Sequence, residues 1–147
     1  MPTLETSLKN PLEFRLGYQL RRASVIMMAD LTTRLADLDL SPAEASILIL
    51  IAANPAVTQS GIGRALGVKR ANMVPLIAGL ISRGCIAKEP ADGRSHSLQV
   101  TDSGTELAKG AQRIMLKHEV HFFAELSEKE RNILLARLSG VWLDTQG

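Results

Sequence analysis

Apolar residues recur at Leu12, Leu16, Leu20, Ala23, Met27, Leu31, Leu35 and Leu38, steps of three and four that lay them along one stripe of a helix. Asn10-Pro11-Leu12-Glu13 supplies a start signal: an N-cap, proline at the first helical position and glutamate at N3. The pattern predicts one amphipathic helix of about seven turns. That is longer than a small domain needs for its own core, and it points to a partner helix. Ser41-Pro42-Ala43-Glu44 repeats the start signature with a capping box, and the helix it opens, to about Ala53, is apolar nearly all round and so expected to be central. Asn54-Pro55 ends it.

Thr58 caps a short predicted helix to Leu66, despite Gly61 and Gly63, and Gly67 stops it. A further helix runs from about Lys69 to Arg83, with Gly84 as its natural stop. Pro75 falls inside that helix, where it removes a backbone hydrogen bond and crowds residue 71; it either lies near the first turn or bends the helix. Cys85 to Glu89 reads as a strand and Asp92-Gly93 as a turn. His96, Leu98 and Val100 alternate with Ser95, Ser97 and Gln99 as a second strand. Thr101 caps a helix to about Glu125 with Leu107, Ala111, Ile114, His118 and Phe122 on one face. Ser127-Glu128-Lys129-Glu130 opens a last helix with Leu134, Leu138, Val141 and Trp142 inward. The expected fold class is mainly α with a small β-hairpin, α+β, and no internal repeats.

Composition narrows the function. The chain has 147 residues, enough for one domain with a real core or one domain with a helical appendage. Aromatics at 3% are too scarce for single-strand stacking platforms. "ILILIAA", Ile47 to Ala53, is far too short to span a membrane, and the first residues lack the blocks of a secretion signal. With one cysteine, Cys85, no internal disulfide is available and the cytoplasm is the expected compartment. The net charge of +2 is unevenly spread: residues 58–101 carry six cations against two carboxylates, a net +4, and each flank is at −1. The middle third is the part expected to meet a polyanion.

Gln59 to Gly84, "QSGIGRALGVKRANMVPLIAGLISRG", places Ile62, Leu66, Val68, Met73 and Leu76 at the apolar offsets of two crossing helices, Gly63 at the crossing and Gly67 at the turn. This is a helix-turn-helix, whose second helix enters a DNA major groove with its N-terminal residues foremost. Lys69, Arg70, Asn72 and Met73 are then the candidate readers, with Gln59 and Ser60 opening the preceding helix. The hairpin that follows is a wing. Arg94 at its tip suits the minor groove, Asp92 is better placed to hold the Arg94 guanidinium than to face phosphates, and Ser95 and His96 lie beside them. No nucleophile elbow, HExxH helix or phosphate loop is present, so enzymatic activity is not expected, and neither a cofactor nor a metal is called for.

The order of helix, buried helix, helix-turn-helix, hairpin with Asp-x-Arg, strand ending in Thr and two long helices resembles the MarR family of bacterial transcription regulators, from about Leu12 to Leu143. That family's wing carries Asp-x-Arg, then Leu-Thr, then Gly; here these are Asp92, Arg94, Val100-Thr101 and Gly104, with Val100 replacing Leu. The resemblance implies a homodimer whose first and last helices interleave. It divides the chain into an N-terminal arm and dimerisation helix (1–40), a winged helix-turn-helix (41–101) and C-terminal dimerisation helices (102–147). It implies a repressor of double-stranded DNA released by a small molecule, an aromatic acid or its acyl-CoA thioester among the options. A winged-helix dimer that binds protein is the alternative.

Three clusters carry two readings each. Tyr18, Arg21, Arg22, Met27 and Met28 are either a dimer helix with a solvated basic edge or part of an effector pocket, where the arginines hold a carboxylate or CoA phosphate and the methionines an aromatic body. His118 and His121, three apart on a helix, are either packed or pocket-lining groups or a fragment of a metal site; His118 is assigned to the pocket. Cys85 stands where the family has an apolar residue and reads as a small buried thiol.

Overall fold

The computed structural model describes residues 8–90 and 96–143. The long N-terminal stripe is not one helix. Asn10 caps a single 3-10 turn, Pro11–Phe14, by accepting the Leu12 N–H. Arg15 is extended, at φ −96° and ψ 122°, and α1 starts beyond it and runs Leu16–Leu35. A second 3-10 turn, Ala36–Leu38, ends at Asp39 in the left-handed region with φ 53°. The start signal at Asn10 therefore works, but only locally, because the Arg15 N–H turns back to the Leu12 carbonyl at 2.8 Å.

α2 (Pro42–Ala53) is the central element, with Ala45, Ile47, Leu48 and Ile51 buried. Its cap differs from a reciprocal capping box. The Ser41 hydroxyl accepts the Glu44 N–H and donates to Glu44 Oε1, which leaves Oε2 to meet Arg83 at 3.2 Å. α3 (Gln59–Leu66) is capped by Thr58 and closed by Gly67 at φ +66°. Gly63 suits the close crossing, since a Cβ there would stand a tight 3.1 Å from the Val68 carbonyl oxygen. α4 (Arg70–Ser82) buries Met73, Ile77 and Leu80, and Gly84, at φ +71°, turns the chain out of it. Pro75 lies in the second turn of α4, on its exposed side, where water can reach the Ala71 carbonyl that its missing N–H leaves free.

β2 (Ile86–Pro90) and β3 (His96–Val100) form the expected hairpin, antiparallel with Lys88 opposite Leu98 and Pro90 opposite His96. A strand of two residues, β1 (Val57–Thr58), adds to the other edge of β3 and gives the order β1-β3-β2. β3 is therefore the central strand, and its burial does not simply alternate. Leu98 is buried and Val100 half-buried as expected, but Ser97 is also buried and His96 is exposed. β1 and β2 pair with the two edges of β3 around Ser97 and Leu98, and α2, α3 and α5 pack against it, whereas His96 sits at the turn end of the hairpin.

α5 (Asp102–Phe123) starts at the Thr101 cap and packs along α2 and α1. α6 (Glu128–Leu143) begins with a true reciprocal box: Ser127 N–H to Glu130 Oε2 at 2.8 Å and Glu130 N–H to Ser127 Oγ at 3.2 Å. The Ser127 backbone N–H first, and then the Ser127 hydroxyl, hold the Glu130 carboxyl below its ordinary pKa. Leu134, Leu138, Val141 and Trp142, expected inward, are all exposed in the single chain, and α6 has no buried residue.

Candidate nucleic-acid interface

The predicted readers converge. Gln59 and Ser60 open α3, Lys69 is the N-cap position of α4, and Arg70 and Asn72 follow in its first turn; all but the half-buried Gln59 are exposed. Gln59, Ser60, Arg64, Lys69 and Arg70 border one cleft of about 510 Å³ between α3 and α4, floored by Gly63 and Val68. Arg64 joins the set without having been singled out from sequence. Five residues beyond Gln59 and exposed, it was visible there only as part of the charge count.

Met73 also lines this cleft, at its base and not at its rim, and leaves the set of readers. At 1% exposure it packs in the core under the crossing, and a side chain that fills the interior cannot reach a base edge. Its role is the apolar offset that the helix-turn-helix spacing assigned to it. Asp92, Arg94 and Ser95 lie outside the described residues; His96 is exposed at the near end of the hairpin, with Lys88 exposed on β2.

The cations of this region are clustered and, like Arg21, Arg22, Arg113 and Arg137 and unlike the following three, have no carboxylate partner among the described residues. Arg34 pairs with Asp30, Arg83 with Glu44 and Asp39, and Arg131 with Glu119. Among the described residues no carboxylate pairs with Arg64, Lys69 or Arg70. α2, α3, α5 and α6 begin with a hydroxyl cap, whereas α1 and α4 begin at Arg15 and Lys69 with no side-chain cap, and in α4 a second cation, Arg70, follows. Cations at the positive end of a helix dipole oppose folding slightly, so this arrangement is suited to an anion that meets both.

Behind the cleft, Arg83 fixes the far end of α4. It donates to the Asp39 carbonyl at 2.7 Å and meets Glu44 Oε2, tying the helix to the linker after α1. The start of α5 is tied to the same place. Thr101 Oγ1 donates to the Gly84 carbonyl at 2.6 Å, and Ser103 Oγ donates to it at 3.1 Å. Gly104 presses on Cys85 so closely that a Cβ would overlap its carbonyl oxygen and stand 2.9 Å from its carbonyl carbon. The resemblance included this glycine, and its reason is now steric. Cys85 is buried, as expected for a packed thiol.

The residues assigned to an effector divide between two faces of α1. Tyr18, half-buried, accepts from Asn10 Nδ2 at 3.0 Å and has the Arg21 guanidinium 5.9 Å from its ring centroid; Arg21, Arg22 and Met28 are exposed. Met27, nine residues from Tyr18, faces the opposite side at 3.6 residues per turn, one turn before Asp30. His118 is buried and meets Asp30 Oδ2 through Nδ1 at 2.8 Å, and Arg34 Nε meets the same oxygen at 2.6 Å. The His118 hydrogen bond first, then that of Arg34, holds the Asp30 carboxyl below its ordinary value. Phe122 stands edge-on to both His118 and His121. Among the described residues no three His, Cys, Asp or Glu side chains are grouped to hold a metal, and no helix is long and apolar enough to cross a membrane.

A helix-turn-helix followed by a three-stranded sheet, framed by long helices from both ends of the chain, defines a winged-helix regulator. A family model described as MarR family matches residues 38–95. The chain is similar to the transcriptional repressor CouR bound to a 23-mer DNA duplex: 34% identity, TM-score 0.83, covering 91% of this chain and 97% of that one. It is also similar to CouR bound to p-coumaroyl-CoA, at 31% identity and TM-score 0.76 over 86% and 90% of the two chains. A transcriptional regulatory protein assigned to the hcr operon of Thauera aromatica is 26% identical over 130 residues, 86% of this chain and 78% of that protein. The chain belongs to the MarR family and is a transcription regulator.

Proposed function

We propose that the protein is a homodimeric repressor that binds a pseudo-palindromic operator and is released by an aromatic acid in the form of its CoA thioester. The observation that carries the DNA reading is the cleft between α3 and α4, where Arg64, Lys69 and Arg70 stand unpaired around an uncapped helix N-terminus. α4 enters the major groove with Lys69 and Arg70 on phosphate or guanine and Asn72 on adenine, while Gln59 and Ser60 meet the backbone. The hairpin, with Asp92, Arg94, Ser95 and His96, reaches the neighbouring minor groove. Residues 41–101 are the reading head, and 1–40 and 102–147 join two copies with half-site centres about one helical turn apart.

The similarity to CouR in its two complexes supports both partners. Tyr18, Arg21, Arg22, Met27, Met28 and His118 frame the effector site, and the ligand shifts the equilibrium only by binding one spacing of the two heads better than the other. Fluorescence anisotropy against DNA from upstream of the protein's own gene, with a scrambled duplex as control, tests the reading over a salt series. Tight, sequence-preferring binding that weakens steeply with salt is expected. Release on adding p-coumaroyl-CoA, impaired in Arg21→Ala or Arg22→Ala, tests the effector. Weak, equal binding to both duplexes overturns the repressor and favours a protein partner.

A further inference from the structure

The outward side of α4 is unusual for a solvent-facing helix. Met73, Ile77 and Leu80 face the core, so the exposed stripe is Ala71, Val74, Pro75 and Ala78, at i, i+3, i+4 and i+7. An exposed helix face ordinarily carries charged or polar side chains. Here none of the four has a side-chain donor or acceptor, and Val74, a branched residue, is 50% exposed. Proline at such a site lowers the stability of the isolated helix, so folding does not account for Pro75. It runs directly on from Lys69, Arg70 and Asn72, and so continues the surface that the proposed function turns toward DNA.

We infer that Ala71, Val74 and Pro75 read thymine C5-methyl groups, and that the protein selects half-sites with thymines facing this stripe. The inference rests on the DNA-binding reading above. In the major groove the thymine methyl is the one apolar group a base pair offers, and small apolar side chains are its partners. Basic side chains at the head of α4 bring the groove to the stripe, and Arg70 and Asn72 supply the hydrogen bonds beside it. The dimensions agree. Ala71 to Pro75 rises about 6 Å along the helix, which matches about two base-pair steps. A row of methyls discriminates without hydrogen bonds: cytosine lacks the methyl, and a purine at the same place presents polar atoms that the stripe cannot satisfy.

Selection of full-length protein on a pool of random duplexes supplies the probe. The selected duplex is then remade with single thymidines replaced by deoxyuridine, which removes only the methyl. Anisotropy should show about a fourfold loss of affinity for each methyl buried on the stripe. Val74→Ala should bind the thymidine duplex more weakly and lose most of its response to the deoxyuridine facing it. Val74→Thr keeps the size of the side chain and one of its two methyls, so it should retain part of the preference for thymidine and guards against a folding artefact. If selected duplexes bind tightly and with steep salt dependence but deoxyuridine changes nothing at any position, the methyl reading is overturned and DNA binding stands. If no duplex is enriched and binding is weak on every sequence, both fall together, and the stripe is left to a protein partner.

Discussion

The winged helix and the terminal helices are built to different degrees of completion. Around α2 the core is closed: Leu35, Ile47, Leu48, Ile62, Met73, Ile77, Leu80 and Leu98 are each at most 1% exposed. At the ends of the chain the same kinds of residue face water. Leu16 and Val25 on α1, and Ile133, Leu134, Leu135, Leu138, Val141 and Leu143 on α6, are all exposed by more than a third. Both regions have apolar periodicity, but only the first finds its partners within one chain. An amphipathic pattern reports that a face is to be covered, and it does not report by what. The second copy proposed above is the natural cover for the terminal faces.

That contrast can be broken by substitution, and the largest effect belongs to the closed core. Leu48→Ala should cost about 2–5 kcal/mol in urea unfolding, from lost transfer free energy and the cavity left behind. A loss under about 1 kcal/mol would mean that α2 is not the centre of the fold. Gly104→Ala should cost up to about 3 kcal/mol, because the new methyl meets backbone at Cys85 and not a flexible side chain that can give way. Its thermal unfolding and its DNA affinity should fall together.

Asp30→Asn tests the contact between two of the terminal helices, α1 and α5. A carboxyl with a lowered pKa adds stability that is fully present above its ordinary value of 3.8 and lost as pH falls through the lowered one. The wild type should therefore lose stability more steeply than Asp30→Asn on acidification from about pH 5 to about pH 3, as read from urea midpoints. Parallel curves would show that His118 and Arg34 do not hold this carboxylate in solution. Leu138→Asp should have the smallest effect on the fold, within about 0.5 kcal/mol for an exposed site in the separate chain. It should abolish the rise of the unfolding midpoint with protein concentration that a dimer requires, and sedimentation should then give a monomer.

Much of the winged helix was legible because local chemistry and tertiary need agree there. Thr58, Thr101 and Ser127 cap where a hydroxyl three residues before an N–H says they should, and Gly67 and Gly84 take the left-handed conformations that end α3 and α4. What escaped is of another kind. β1 is two residues long and exists only because β3 has a free edge. The break at Arg15 leaves no mark in the apolar stripe, since the spacing continues across it. Met73 was assigned two roles by one spacing, and only burial chooses between them. Asp30 and His118 are 88 residues apart, and a pair so distant has no signature in either segment. The proposed DNA contacts were readable as a set; Arg64 and the apolar stripe of α4 needed the observed exposures.

The junction at Gly84, Cys85, Thr101 and Gly104 has a mechanical consequence. The end of α4, the start of β2 and the start of α5 share hydrogen bonds to two adjacent carbonyls with no room for a methyl group between them. Such a joint resists bending, so α5 is a lever with the helix proposed to read DNA held at one end and His118 four turns along it, and a small rotation near His118 is expected to carry α4 with it.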